Sequence, residues 1–303
     1  MNRRLTETIT ESITWFLQAT DEVPDYAPAW VGLADAYALL SLYGASRPHD
    51  VFPKSRAAAD NALRFAPGLA EAHNAVAVVE LFFQWDWTAA ERAFRSALSL
   101  DPDYADAHQR YAVLMIVLRR FDEARAALAR AQALDPLSRI IATIAGYPAY
   151  YERDYESAIR QFRLALQMDP NFSMAHFRLG LALAQQGQFD AALDELHISK
   201  QLSNDRDVVA ALGRVHAMRG DRAAAHAALE ELGARSKDTF VTSYARAAIH
   251  AALGDTGAAL DWLERALEER SYWLIYLNVD PALDAIRSDP RFAAVPQRAG
   301  LPG

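Results

Sequence analysis

Residues 98–102 read LSLDP, residues 132–136 read QALDP and residues 166–170 read LQMDP. Their prolines, Pro102, Pro136 and Pro170, stand 34 residues apart. A proline in a helix interior removes a hydrogen bond and clashes with the preceding turn, so each one ends an element and opens the turn into the next. Towards the amino terminus, Pro67 precedes Pro102 by 35 residues and Pro24 precedes Pro67 by 43. Towards the carboxy terminus, Gly187, Gly220 and Gly254 carry the period on at 33 and 34. One period held across most of the chain points to a repeat array.

Composition agrees. Of 303 residues, 61 are Ala, with only 13 Gly and 13 Pro, as an all-helical chain requires. Hydrophobic residues make up 52%, too many for disorder. The net charge is −8 and no basic run offsets it, since Arg3-Arg4 and Arg119-Arg120 are short, so nucleic acid is not an expected partner. No cysteine is present, which excludes disulfides, thiolate metal sites and cysteine nucleophiles. The apolar stretch from Ile140 to Tyr151 is 12 residues, short of the roughly 20 that span a bilayer, so membrane insertion is not expected. The expected compartment is the cytoplasm, or the periplasm if the chain is a piece of a membrane-anchored regulator.

Each unit predicts two amphipathic helices joined by a short turn. In residues 173–204, Leu179-Gly180 and Leu183 belong to the first helix, Gln186-Gly187-Gln188 is the turn, and Ala192, Leu196 and Ser199 mark the second. This small, large, small stripe recurs as Ala90/Phe94/Ala97, Ala124/Leu128/Ala131, Ala158/Phe162/Ala165 and Ala259/Leu263/Ala266, and begins again at Ala225/Leu229. Such spacing lets two helices approach closely at the small residues.

The 34-residue pattern resembles the tetratricopeptide repeat. Trp30, Leu33, Ala34 and Tyr37 match its first helix most fully, and Leu179-Gly180 and Leu212-Gly213 match in part. The resemblance implies an all-α, right-handed superhelical solenoid of about seven units, at 27–69, 70–104, 105–138, 139–172, 173–205, 206–239 and 240–272. It also implies a partner-binding role without catalysis. A narrower resemblance rests on Trp85-Asp86-Trp87-Thr88-Ala89-Ala90-Glu91-Arg92-Ala93-Phe94, Pro281 and Ile286-Arg287-Ser288-Asp289-Pro290-Arg291-Phe292. These runs are similar to the carboxy-terminal repeat region of bacterial signalling regulators that carry a winged-helix domain, a nucleotide cyclase or a Ser/Thr kinase.

The ends depart from the period. Residues 6–21 read as the second helix of a unit whose first is missing, with Ser12, Phe16 and Ala19 in the stripe and Pro24 closing it. Two readings of residues 1–26 stay open: a fragment of a longer protein, or an amino-terminal cap. The first full unit holds nine extra residues around Gly44-Ala45-Ser46-Arg47-Pro48-His49. Residues 272–277, YWLIYL, are expected to fold back over the last unit's exposed stripe, followed by short helices near 281–287 and 289–295, so that 273–303 form a carboxy-terminal cap.

In such an array the first helices line an inner groove, and places two, five, nine and twelve of each unit point into it. From those places Asn74, Gln109, Val113 and Thr143 are candidate groove residues. Tyr147, Tyr150, Phe177, Leu181, Arg214 and Tyr244 complete the set. Arg214 is the one cation among the ten, so a clamp for a terminal carboxylate is not expected. An apolar, aromatic groove suits a peptide or amphipathic helix. The alternative occupant is a small molecule, with the chain serving as the sensing region of a larger regulator. The plainer reading makes the same side chains packing between units. Pro148, inside the first helix of the fourth unit, predicts a kink.

Nothing points to chemistry. Phosphate-loop, dinucleotide, nucleophile-elbow and HExxH signatures are absent, so no catalytic residue and no cofactor is assigned. His226 and Glu230 share a helix face but lack a third ligand, so no metal site is assigned. His73, His108 and His176 take the fourth place of their units, where Trp30 stands in the first, and are read as packing or hydrogen-bonding residues.

Overall fold

In the computed structural model, which describes residues 3–203, 205–237 and 239–301, seventeen α-helices and no strand are found among the described residues. The sequence-based bounds 1–26 and 273–303 therefore extend past them at 1, 2, 302 and 303. A lone helix α1 (Arg3–Glu22) precedes seven pairs. The inner helices are α2 (Ala27–Leu42), α4 (Ala70–Val79, continued by a π turn at Glu80–Gln84) and α6 (Ala105–Val117). Next come α8 (Arg139–Ile144) with α9 (Tyr147–Tyr151), then α11 (Ser173–Gln185), α13 (Arg206–Arg219) and α15 (Ser243–Leu253). The outer helices are α3 (Pro48–Phe65), α5 (Trp87–Leu100), α7 (Phe121–Leu134) and α10 (Tyr155–Met168). The last three are α12 (Phe189–Ser203), α14 (Arg222–Arg235) and α16 (Thr256–Glu268). Two 3-10 turns, Tyr272–Tyr276 and Pro281–Ile286, lead into α17 (Pro290–Arg298). The fold is an all-α solenoid.

The period has a backbone cause. Trp85, Arg119, Arg153, Gly187, Gly220 and Gly254 occupy the same turn between the paired helices, and all six have positive φ, between 59° and 91°. Glycine adopts this conformation freely, whereas a side chain pays about 1–2 kcal/mol. The stripe is buried as its spacing requires: Ala124, Ala131, Ala158, Phe162, Ala165, Ala192 and Leu196 are fully covered. The sixth unit departs. Leu229 is half-buried and Leu232 takes the core position, because α14 is rotated so that Ala228 rather than Leu229 meets Gly213.

The fourth-place residues do the same work in four units. Trp30 Nε1 donates to the Pro24 carbonyl at 2.8 Å. The Nε2 atoms of His73, His108 and His176 meet the carbonyls of Pro67, Pro102 and Pro170 at 2.8, 2.9 and 2.9 Å. Proline leaves a carbonyl to be satisfied at each inter-unit turn, and the next helix returns a ring N–H to it. Pro148 does not kink a continuous helix. The helix breaks at Ala145-Gly146, and Pro148 sits in the first turn of α9, where its missing N–H is no loss.

The superhelix closes on itself. The extra residues of the first unit reach unit six, where Arg206 Nη1 lies 3.4 and 3.3 Å from the carbonyls of Tyr43 and Gly44. Gly44 has φ +65°, and a Cβ there would stand 1.4 Å from Arg206 Nη2, so this approach requires glycine. His49 Nε2 meets the Glu268 carbonyl at 2.8 Å.

Candidate functional site

The inner surface takes a helix from every unit and is the concave face of the array. One end of it is filled by the chain itself. Residues 271–301 turn inward, and Leu274, Ile275, Leu277, Leu283, Ile286 and Val295 are at most 1% exposed in one core cluster with residues of α4 to α13, α15 and α16. Trp273 stacks on Tyr244 (6.0 Å between rings, 14°) and lies 6.4 Å from Phe177. Tyr276 stacks on Tyr151 at 4.8 Å. Asp280 accepts the Tyr244 hydroxyl at 2.5 Å and the Ala282 N–H at 2.8 Å. One of the strained turn residues serves this tail: Arg153 donates to the Val279 carbonyl (2.5 Å) and to Asp284 (2.9 Å), and Arg270, just before the tail, lies 4.4 Å over the Trp85 ring. The tail thus inserts into the inner surface as well as covering the last unit, where Arg291 pairs with Asp261 at 2.6 Å.

This insertion is part of the fold and not a detachable ligand. Fully burying an aliphatic side chain contributes about 1.5–3 kcal/mol, so those six alone rival the whole stability of a typical domain, about 5–15 kcal/mol. A buried cation anchors the same region. Arg178 lies 4.1 Å over Tyr147 and 5.1 Å over Trp273, with no carboxylate paired to it among the described residues. Burial pushes the phenols of Tyr147, Tyr150, Tyr151, Tyr244 and Tyr272 up, so they stay neutral donors. Burial likewise pushes the Asp207 carboxyl up against the pull of Arg206, while Tyr272 Oη and Trp273 Nε1 donate to it at 2.5 and 3.1 Å.

The structure therefore divides the ten sequence-predicted groove residues. Tyr147, Tyr150, Leu181, Arg214 and Tyr244 lie under or beside the tail, and Val113 is buried in the same cluster. The space left beside Arg214, Tyr244 and Trp273 is about 50 Å³. That is room for water, well below the roughly 300 Å³ of a small-molecule site. Gln109 and Phe177 keep partly open surface on the part of the inner face that the tail leaves uncovered, its mouth, whereas Asn74 and Thr143 are wholly buried. Sequence reasoning missed four residues of the mouth: Asp35, Tyr43, Tyr104 and Arg110. Arg110 Nη1 pairs with Asp35 at 3.2 Å, and Asn74 Nδ2 donates to Tyr104 Oη at 3.4 Å. Tyr43 and Tyr104 stand just outside helices and Arg110 is off the expected inner places, so only Asp35, at the ninth place of the first unit, carried a signal. A larger cleft of about 490 Å³ lies at the seam of the superhelix. Its cations, Arg47, Arg246 and Arg265, are matched by Asp50, Glu268 and Glu269.

Residues 84–145 and 145–197 match two family models, each described as tetratricopeptide repeat. Residues 84–197 carry tetratricopeptide repeats. It is 30% identical over 96 residues to the TPR repeat-containing thioredoxin TDX of Arabidopsis thaliana, which is 32% of this chain and 25% of that protein. The chain thus spans about a quarter of that relative, and it has no cysteine for thiol chemistry. Among solved structures it is similar to yeast Tom70 (TM-score 0.58, 17% identity, 96% of this chain and 62% of that one). It is also similar to the Cut9–Hcn1 hetero-tetramer of APC/C (0.57, 16%, 96% and 46%). A third is PilW, a type IV pilus biogenesis factor (0.56, 20%, 70% and 94%). At these identities the likeness is one of fold. Among the described residues no helix is long and apolar enough to cross a membrane, and no three His, Asp or Glu side chains gather as metal ligands.

Proposed function

We propose that this tetratricopeptide protein is a non-enzymatic interaction scaffold that receives a segment of a protein partner in the uncovered mouth of its inner surface. The observation that carries this reading is the division of that surface. The tail converts one end to core, whereas Tyr43, Tyr104 and Gln109 retain open area outside its contacts and Phe177 does so at its edge, beside Trp273. Aromatic rings with polar tips offer large contact area and freeze few rotamers on binding. Tetratricopeptide proteins generally act as such scaffolds. The runs at 85–94 and 286–292 support placing this one within bacterial signalling, where the same mouth would receive the regulated partner.

Panning a displayed peptide library against the full chain tests the reading. Selected peptides should lose at least about tenfold in affinity, about 1.4 kcal/mol, on Tyr104→Ala or Phe177→Ala, and little on Glu156→Gln on the outer face. Failure to enrich any peptide, or affinity that falls only in step with melting temperature, would refute it.

A further inference from the structure

Arg214 is a buried cation that the fold leaves short of partners. It stands on α13 where the inner helices meet the tail, and it is 5% exposed. Among the described residues no carboxylate lies within ion-pairing distance of it, and its Nε and Nη2 have no acceptor. Its side chain lines the recess of about 50 Å³ walled also by Phe177, Asp207, Tyr244, Trp273 and Asp280. Phe177 and Asp207 keep open area, so an ion in solvent reaches the recess past them.

The two carboxylates of the wall are already engaged. Asp280 accepts the Tyr244 hydroxyl on one oxygen and the Ala282 N–H on the other, at 2.5 and 2.8 Å. It lies within electrostatic reach of Arg214 without pairing to it. Asp207 accepts from Tyr272 and Trp273, and burial pushes its carboxyl towards the neutral form. What the recess lacks is a negatively charged acceptor for two donors of a buried guanidinium. A buried charge without a pair or its hydrogen bonds is costly, so such groups are rare unless something supplies both.

We infer that this recess is a site for one small inorganic anion of halide size, chloride in a cell, held by Arg214 at the junction of tail and inner helices. The volume sets the size: about 50 Å³ takes one such ion or a few waters and is far below an organic ligand. Water would supply acceptors but no charge. An ion here touches α13 through Arg214, α15 through Tyr244 and the tail through Trp273, so its occupancy steadies the seating of the tail.

The probes are chloride and bromide, with gluconate as an anion too bulky for the recess, and the full chain is used throughout. At constant ionic strength, the change in Tm on replacing gluconate by about 150 mM chloride should be about 2 °C more positive for the wild type than for Arg214→Met, as for a dissociation constant of about 10 mM. Arg47→Gln, which removes an exposed cation from the seam cleft, should respond as the wild type does. Should Arg214→Met not fold, Ala248→Leu, which fills the recess and keeps the cation, takes its place. A wild-type crystal grown in bromide should show an anomalous peak in the recess within about 3.5 Å of Arg214 Nε or Nη2. An equal chloride response in the wild type and the recess variant would show a general salt effect and overturn the inference. Water alone in the recess, or Arg214 turned onto Asp280, would overturn it as well. A bromide peak without the difference in solution would mean binding at crystal concentration only, and would also overturn it.

Discussion

Trp273→Ala tests whether the carboxy-terminal segment is core. The indole is 9% exposed and touches the rings of Tyr244, Phe177, Tyr272 and Tyr276, with the Arg178 guanidinium 5.1 Å above it. Truncating a buried tryptophan costs about 3–5 kcal/mol, as lost burial plus the cavity left behind. Its N–H to Asp207 adds less than an isolated bond to a carboxylate would, because the Tyr272 hydroxyl still donates to the same oxygen. A loss of about 4 kcal/mol follows, and Trp273→Phe, which keeps a stacked ring and forfeits the N–H, should lose about 1–2 kcal/mol. At ~2.1 cal/mol/K of unfolding entropy per residue, the alanine variant should melt about 6 °C lower. Urea titration read by circular dichroism gives the free energy, and a thermal scan gives Tm. Limited proteolysis should also cut the variant first within 271–301. A loss below about 1 kcal/mol, with the tail still protected, would mean that the segment lies on the inner surface without holding it, and the division into plug and mouth would fall.

Ala158, fully buried where α10 crosses its paired inner helix, should not accept a larger side chain: Ala158→Leu should cost about 1–3 kcal/mol in urea titration, and an unchanged midpoint would refute the helix register. Asp207 should leave a pH signature. Burial raises its pKa, so the folded state keeps a proton that the unfolded chain releases above about pH 4, and stability from this group falls as pH rises through that window. The wild type should therefore gain Tm relative to Asp207→Asn as pH is lowered from about 7 to about 4.5, and the opposite trend would refute the assignment.

What could be read without the fold was what each unit does within itself. The 34-residue spacing of Pro102, Pro136 and Pro170, the Ala158/Phe162/Ala165 stripe and the glycine turns are local signals, since helix periodicity and the φ limits of proline and glycine act within one or two turns. Even the place of His73, His108 and His176 was visible, although its meaning, an N–H returned to the preceding proline's carbonyl, needed coordinates. Half of the candidate site was not legible. The spacing names candidate inner places, but the sequence does not say what lies opposite them.

That was decided by how small rotations between units accumulate. After seven pairs the superhelix has turned far enough for Arg206 to meet Gly44, His49 to meet Glu268 and Trp87 Nε1 to donate to the Gly300 carbonyl at 2.6 Å. These contacts join residues 162, 219 and 213 positions apart, beyond the reach of any periodic pattern. Closure creates an enclosed apolar interior, and YWLIYL fills it because burying that surface is worth more than capping one helix stripe. The sequence by itself determined the helices, their turns and their pairing. Only the tertiary structure decided which part of the inner surface became core and which stayed open, because that depends on the summed geometry of all the units and on no one of them.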